Sequence, residues 1–223
     1  MPTLADDKKL SQAERRRADA FRRAEDRSNF VLGRTVIQEL LSPPEAPQLL
    51  PVLMQANQKP YVQGAPHFSL SHSGACVAAA VSPTGLIGVD IEIAPSVPHS
   101  RDLATTVAHP FERDMLDACP DTAFSALFSR CWTRKEAVFK AMGLGLTADP
   151  RALDTRLHEW CPPIECASPM RVVDIFEDGT QASAAVAFCA ETEVLNIALI
   201  NVAAERESKY AGVVGTIQLP WIS

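Results

Sequence analysis

Cys76-Val77-Ala78-Ala79-Ala80-Val81-Ser82-Pro83-Thr84-Gly85-Leu86-Ile87-Gly88-Val89-Asp90-Ile91-Glu92-Ile93 is the stretch that decides the fold. Residues 76–81 form an unbroken run of small apolar side chains, read as a strand. Ser82-Pro83-Thr84-Gly85 is turn chemistry, and Leu86 to Ile93 reads as a second strand. The pair predicts a β-hairpin over 76–93 with a short loop. Side chains alternate along a strand, so Asp90 and Glu92 point to one face of it.

Working outward, residues 5–41 read as helix with one or two breaks, carried by an imperfect apolar stripe through Phe21, Val31, Ile37 and Leu41. Ser42-Pro43-Pro44 stops it and opens an irregular stretch to about residue 66. Phe68-Ser69-Leu70-Ser71 alternates as a half-buried strand does. Downstream, 95–110 predicts a loop with a short helix, followed by a helix from Pro110 through Cys119. A stronger helix spans Asp121 to Met142, with Gly143 as its C-cap. Three strands follow at 171–176, 182–189 and 194–201, with turns at Asp178-Gly179 and Glu191-Thr192-Glu193, and 212–222 is extended or irregular. Helix, strands, helices, strands is an α+β order. Helix followed by hairpin occurs before residue 95 and again after it, which suggests two similar α+β halves, 1–94 and 95–223. An interface between such halves is a common place for a ligand site.

The composition excludes several classes. A chain of 223 residues with 47% apolar and 22% charged residues has enough material for a globular core. Its net charge of −6 gives no general attraction for nucleic acid or an anionic membrane. No run approaches the roughly 18 apolar residues of a membrane span. Met1 is followed by polar and charged residues rather than an apolar signal core. The six cysteines lack any C-x-x-C spacing, which points to reduced thiols in a cytoplasmic protein rather than to zinc or disulfides.

The chemistry concentrates in two places. Asp90 and Glu92 share a strand face, and about forty residues later comes Trp132-Thr133-Arg134-Lys135-Glu136-Ala137-Val138-Phe139-Lys140. Glu136 and Lys140 lie one helical turn apart and share a face with Trp132. Taken singly, the acid pair reads equally well as solvated, and the Glu-to-Lys pair as a surface contact contributing about 0.2–0.5 kcal/mol. Taken together, three carboxylates and an ammonium suit Mg2+-assisted phosphate chemistry, because Mg2+ takes carboxylates together with phosphate oxygens and water. Ser71-His72-Ser73-Gly74 adds hydroxyl and imidazole groups at a strand end. Ser71 and His72 face opposite ways, and no G-x-S-x-G elbow occurs, which argues against a Ser-His hydrolase.

Lys59-Pro60, Phe68 through Gly74, Gly88 through Glu92 and Trp132 through Lys140, in that order and spacing, resemble the 4′-phosphopantetheinyl transferases of the surfactin-synthetase-activating type. The resemblance implies an intramolecular pseudodimer with its active site between the halves. It implies Mg2+ held by Asp90, Glu92 and Glu136, with Glu136 also as base and Lys140 neutralising phosphate charge. It implies coenzyme A as co-substrate, bound at its nucleotide end by His72 with Ser71 and Lys59, with Arg27 or Arg23 as the substitute basic residue of the first helix, while Lys135 adds a second cation. The implied reaction moves the phosphopantetheine arm onto a serine of an apo acyl, peptidyl or aryl carrier protein, releasing adenosine 3′,5′-bisphosphate, with the enzyme a monomer.

One region departs from that family. Asn29 stands where an arginine is common, and Ala24 where a lysine occurs, so the basic grip of the first helix is incomplete. Residues 98–120, with Phe111, Met115 and Leu116, are the segment expected to dock the carrier. Three alternatives compete, one of them a plain structural α+β domain in which the constellation is accidental. A D…(D/E)-x-K nuclease requires lysine at position 94, which is alanine. A catalytically silent coenzyme A or carrier-binding module requires a broken acid set, and the set is whole.

Overall fold

The computed structural model describes residues 7–42, 49–57, 59–74, 76–93, 101–175, 182–192, 194–201 and 212–218. The chain is α+β. Its N-terminal part carries a short 3-10 turn at Asp7–Lys9, then α1 (Gln12–Asp19) and α2 (Ala24–Leu41). A capping box sets the start of α1: the Ser11 hydroxyl accepts from Glu14 N, and the Glu14 carboxylate accepts from Ser11 N. Short strands β1 (Leu53–Met54) and β2 (Pro60–Tyr61) pair with each other, followed by β3 (His67–Ser73), β4 (Cys76–Ser82) and β5 (Ile87–Ile93). Next come α3 (Arg101–Val107), α4 (Pro110–Ala118) and α5 (Asp121–Met142). The chain closes with β6 (Pro163–Ile164), β7 (Met170–Asp174), β8 (Ala182–Cys189), β9 (Val194–Asn201) and β10 (Gly212–Gln218). The predicted turn at Asp178-Gly179 and residues 94–100 lie outside the described residues.

The strands build two four-stranded antiparallel sheets, ordered β10-β9-β4-β3 and β5-β8-β7-β6. This corrects the hairpin expected over 76–93. β4 turns back on β3, not β5: the chain reverses at Gly74, whose φ is +53°, and Ser73 pairs with Cys76. The other edge of β4 is taken by β9, so β5 has no free edge there and joins β8 instead. A strand offers only two hydrogen-bonding edges, and Ser82-Pro83-Thr84-Gly85 therefore carries the chain from one sheet to the other. Both sheets draw strands from either side of residue 94: β9 and β10 complete the sheet of β3 and β4, and β5 edges the sheet of β6 to β8. The tail at 212–218, expected to be extended or irregular, is a full edge strand.

Alternation along β4 explains the layering. Val77, Ala79 and Val81 pack beneath Leu32 and Val36 of α2. Ala78 and Ala80 face the other way, onto Ile87, Val89 and Ile91 of β5 and Val186 of β8. On β8 the remaining positions, Ala185 and Ala187, meet Ala137, Val138 and Ala141 of α5. The order is thus α2, sheet, sheet, α5, and β4 is buried on both faces, which accounts for its continuous apolar run.

The sheets also meet along their edges, through serines. Ser69, Ser71 and Ser73 share one face of β3, and each is hydrogen-bonded to β5. Ser69 Oγ accepts from Val89 N (3.1 Å), Ser71 Oγ donates to Asp90 Oδ1 (2.7 Å), and Ser73 Oγ accepts from Ile93 N (3.1 Å). Hydroxyls replace the backbone ladder where two edge strands run past each other. They satisfy amides that would otherwise be buried without partners.

Gly88 fixes how closely β5 approaches α5. A Cβ there would stand 1.9 Å from the Ala137 carbonyl oxygen and 2.4 Å from Ala141 N. Both are backbone atoms of a packed helix, so the conflict has no side-chain remedy. Gly88→Ala is expected to destabilise the fold by about 3 kcal/mol, read as a lower urea midpoint with an unchanged slope. A variant that unfolds at the wild-type midpoint would show that α5 is not held this close.

Candidate active site

The face of β5 that Gly88 opens toward α5 also carries Asp90 and Glu92, and the stripe Trp132, Glu136 and Lys140 on α5 looks back at it. Residues 133–135 and 137–139 of that helix are buried, whereas 132, 136 and 140 are each partly exposed, so the 3.6-residue period singles out this stripe. The structure therefore brings the three predicted acids and Lys140 into one site.

At its centre is a triangle. Lys140 Nζ donates to Asp90 Oδ1 (2.5 Å) and to Ser71 Oγ (2.8 Å), while Ser71 Oγ donates to the same Asp90 oxygen (2.7 Å). Asp90 is 4% exposed, and its other oxygen, Oδ2, is buried without a hydrogen-bond partner. A buried, anionic, unpartnered acceptor costs free energy unless a cation reaches it. Glu92 accepts from Ser73 Oγ at 3.0 Å. Burial pushes its carboxyl above the usual glutamate range. Ser73 opposes that rise, Asp90 adds to it, and Lys140 and the Trp132 side chain oppose it. Glu136 is raised too, first by burial, against Lys140 and with Asp90 and Glu92. Each acid thus feels the others, and Lys140 is the cation named against both.

This donor set fits a hard divalent cation: three oxygen-bearing side chains, excess negative charge, and one oxygen with no partner. Among the described residues, no three His, Cys, Asp or Glu side chains are gathered tightly enough to hold an ion as they stand. The acids are instead engaged by Lys140, Ser71, Ser73 and Trp132. Beside them a cavity of about 500 Å3 opens between α3 and α5, with Glu92 and Glu136 at its polar end and Leu103, Val107, Phe128 and Phe139 on its apolar walls.

The remaining expected residues divide. His72 is exposed at the end of β3, on the face opposite Ser71. Ser71 does not accompany it toward a nucleotide; its hydroxyl belongs to the Asp90–Lys140 triangle. Lys135 is not at the site at all. It is 0% exposed, pairs with Glu112 at 2.7 Å, and donates to the carbonyls of Pro150 and Leu153. One residue from Glu136 is a turn of about 100° around a helix, which carries Lys135 off the active face and into the core. Lys59 directs its ammonium to two carbonyls, Ile87 O (3.2 Å) and Ala141 O (2.8 Å). Arg27, near the start of α2, pairs with Asp7 at 2.9 Å and Asp19 at 3.5 Å. Asn29, the departure noted above, is buried, and its amide donates to Gly74 O at 3.0 Å, which ties α2 to the turn after His72.

In the expected docking segment Phe111 is 69% exposed, Met115 is half-buried against the core, and Leu116 is fully buried. Residues 98–100 lie outside the described set. Sequence reasoning missed the serine ladder, although Ser69-x-Ser71-x-Ser73 is a period-2 pattern readable in advance. It also missed Glu112, whose capping position at the start of α4 hides its pairing with Lys135. Among the described residues, no helix is long and apolar enough to cross a membrane.

The model of the 4′-phosphopantetheinyl transferase superfamily matches residues 86–190, from β5 through α5 to the end of β8. The chain is 37% identical over 120 residues to the 4′-phosphopantetheinyl transferase AcpT of Salmonella typhimurium, covering 52% of this chain and 59% of that protein. It is 31% identical over 144 residues to HetI of Nostoc sp., covering 61% of each. It is 31% identical over 158 residues to psf-1 of Bacillus pumilus, covering 67% of this chain and 65% of the relative. Both are named 4′-phosphopantetheinyl transferases. The chain thus spans roughly three fifths of the length of the curated relatives it matches. The matched region, residues 86–190, holds Asp90, Glu92, Glu136 and Lys140 together, and over that region the chain is similar to the 4′-phosphopantetheinyl transferase superfamily.

Proposed function

We propose that this protein moves the 4′-phosphopantetheine group of coenzyme A onto a serine hydroxyl of an apo acyl, peptidyl or aryl carrier protein. The observation that carries the reading is the unpartnered, buried Asp90 Oδ2, on a side chain paired with Lys140 and coupled electrostatically to Glu92 and Glu136, the two acids that line the cavity. Mg2+ bound by Asp90, Glu92 and Glu136 would supply charge neutralisation to the pyrophosphate. Lys140 neutralises phosphate oxygens on the same side and is held for that by Asp90 and Ser71. The serine oxygen forms a bond to the phosphorus next to the pantetheine arm. The bond from that phosphorus to the bridging oxygen breaks, and adenosine 3′,5′-bisphosphate leaves with the electron pair. The hydroxyl proton passes to Glu136, whose burial raises its proton affinity toward the range useful for a base.

In this reading His72, exposed at the end of β3, donates to the nucleotide end of coenzyme A, with Arg27 as the basic residue of α2. One long helix backing each sheet supports two similar α+β halves that share the site, working as a monomer. The six cysteines are all free thiols, which suits a cytoplasmic setting.

The test is to incubate the protein with an apo carrier, coenzyme A and Mg2+ and to look for the phosphopantetheine adduct on the carrier serine by mass spectrometry. An adduct that vanishes with a chelator is the expected result. Coenzyme A binding without any adduct, across several carriers, would leave only the silent binding module. In the same assay His72→Ala should raise KM for coenzyme A roughly tenfold with kcat little changed, because it removes binding shared by ground and transition states. An unchanged KM would take His72 out of the nucleotide site.

A further inference from the structure

We propose that Lys59 is a positioning residue: its ammonium bolts the end of α5 to the start of β5 and so sets the contact between Lys140 and Asp90. This rests on the transfer reading above and deepens it, and it replaces the expectation that Lys59 touches coenzyme A.

The geometry is specific. Helix α5 ends at Gly143, in the left-handed region at φ +69°, where Gly143 N donates to Lys140 O (3.3 Å) and Leu144 N to Phe139 O (3.0 Å). Those two bonds leave the Ala141 carbonyl without a helical partner, at the negative end of the helix dipole. Lys59 Nζ takes it at 2.8 Å, and the same nitrogen donates to Ile87 O at 3.2 Å. Ile87 directly precedes Gly88, the residue at which β5 touches α5, and Ala141 directly follows Lys140. One cation therefore ties together the two backbones whose side chains form the Lys140–Asp90 pair.

The link before β2 is shaped for this. Asn57 Nδ2 donates to Gly143 O (3.0 Å), Asn57 Oδ1 accepts from Lys59 N (3.1 Å), and Lys59 O accepts from Gln55 N (2.9 Å). A Cβ at Gly143 would stand 2.3 Å from Asn57 Nδ2. Asn57 and Lys59 thus cap the helix end as a unit. Burial of the Lys59 ammonium lowers its pKa to about 8, the consequence of taking the charge out of water. A site held within fractions of an ångström relies on such supports, and a shift of about 1 Å costs on the order of a hundredfold in rate.

Lys59→Met keeps the stem and removes the donors. It should lower kcat for carrier loading roughly ten- to a hundredfold, with KM for coenzyme A within about twofold of wild type. Hydrogen exchange should report the same event without any turnover: amides 143 and 144 should exchange at least about tenfold faster. Asn57→Ala, an exposed and milder change, should move both readouts in the same direction by less, and it carries the test if Lys59→Met does not fold. A raised KM with unchanged kcat would make Lys59 a substrate ligand and overturn the proposal. Unchanged exchange at 143 and 144 would overturn it as well. A wild type that loads no carrier overturns the transfer reading alone, and the exchange contrast then decides the clamp by itself.

Discussion

Asp90→Asn is expected to reduce carrier loading about a thousandfold, the loss seen when one preorganised electrostatic group is removed from a transition state. The substitution keeps an acceptor for Lys140 and Ser71 at nearly the same volume, so the triangle survives while its charge is lost. Glu136→Gln should fall as far, because it removes both a carboxylate and the proton acceptor. Lys140→Met should fall less, to about a hundredth of wild type. Melting separates lost chemistry from lost structure. Burial holds the Glu136 carboxyl above its ordinary range, so its ionised form is disfavoured in the folded state. Its cost grows as pH rises from the ordinary glutamate range through the folded value. Without Mg2+, Glu136→Gln should therefore melt slightly above wild type at neutral pH, with the difference fading in acid. An inactive variant that melts well below wild type would assign Glu136 to structure.

Glu112→Ala is expected to cost about 3–5 kcal/mol of stability while touching nothing at the active site. Its carboxylate lies 2.7 Å from Lys135, and the two side chains are 1% and 0% exposed. It also accepts from His109 N (2.9 Å), Thr155 N (2.8 Å) and Thr155 Oγ1 (2.6 Å). Removal leaves a fully buried ammonium with only the Pro150 and Leu153 carbonyls for company. Burial alone would raise this carboxyl, but Lys135 and the Thr155 bonds outweigh it and hold it below its ordinary value of 4.5. A depressed carboxylate contributes stability that is complete above that value and lost as pH falls through the lower, folded one. The gap between wild type and Glu112→Ala, measured by urea unfolding, should therefore narrow below about pH 4.5. Replacing the pair together, Glu112→Leu with Lys135→Met, should recover only part of the loss, because Thr155 N and the two carbonyls stay unmatched. A pH-independent gap would show that packing, not charge, makes this pair matter.

Periodicity carried much of the site. The strand at 87–93 and the helix at 121–142 fall where alternation and a 3.6-residue stripe put them, and so the facing of Asp90, Glu92, Glu136 and Lys140 was legible. Gly143 ends the helix as expected, for the physical reason that only glycine takes φ +69° there at little cost. What periodicity does not encode is the partner of an edge. The turn at 82–85 has hairpin chemistry, yet nothing local says that β9, more than a hundred residues on, already occupies the neighbouring edge of β4. Lys135 failed for a related reason. Adjacent to Glu136 in a charged run, it looks like a second active-site cation. Only the packing of α4 under α5 supplies the buried carboxylate that claims it. Lys59 and Ser71 were recognised as residues that matter, but their targets were not, since a donor's acceptor is a tertiary fact.

The interlocked strands have a consequence for how the chain folds. β4 pairs with β9 across Val77 and Ile200, and β5 pairs with β8 across Val89 and Val186, so each sheet closes only through contacts very distant in sequence. As the chain leaves the ribosome, β3 and β4 can form their hairpin early, but the β4 edge meant for β9 stays bare until residues 194–201 have been made. Long-range closures of this kind slow folding, and an unpaired apolar edge invites other chains. Termination anywhere before residue 194 would leave that edge permanently open, and such fragments should aggregate rather than persist as half-domains.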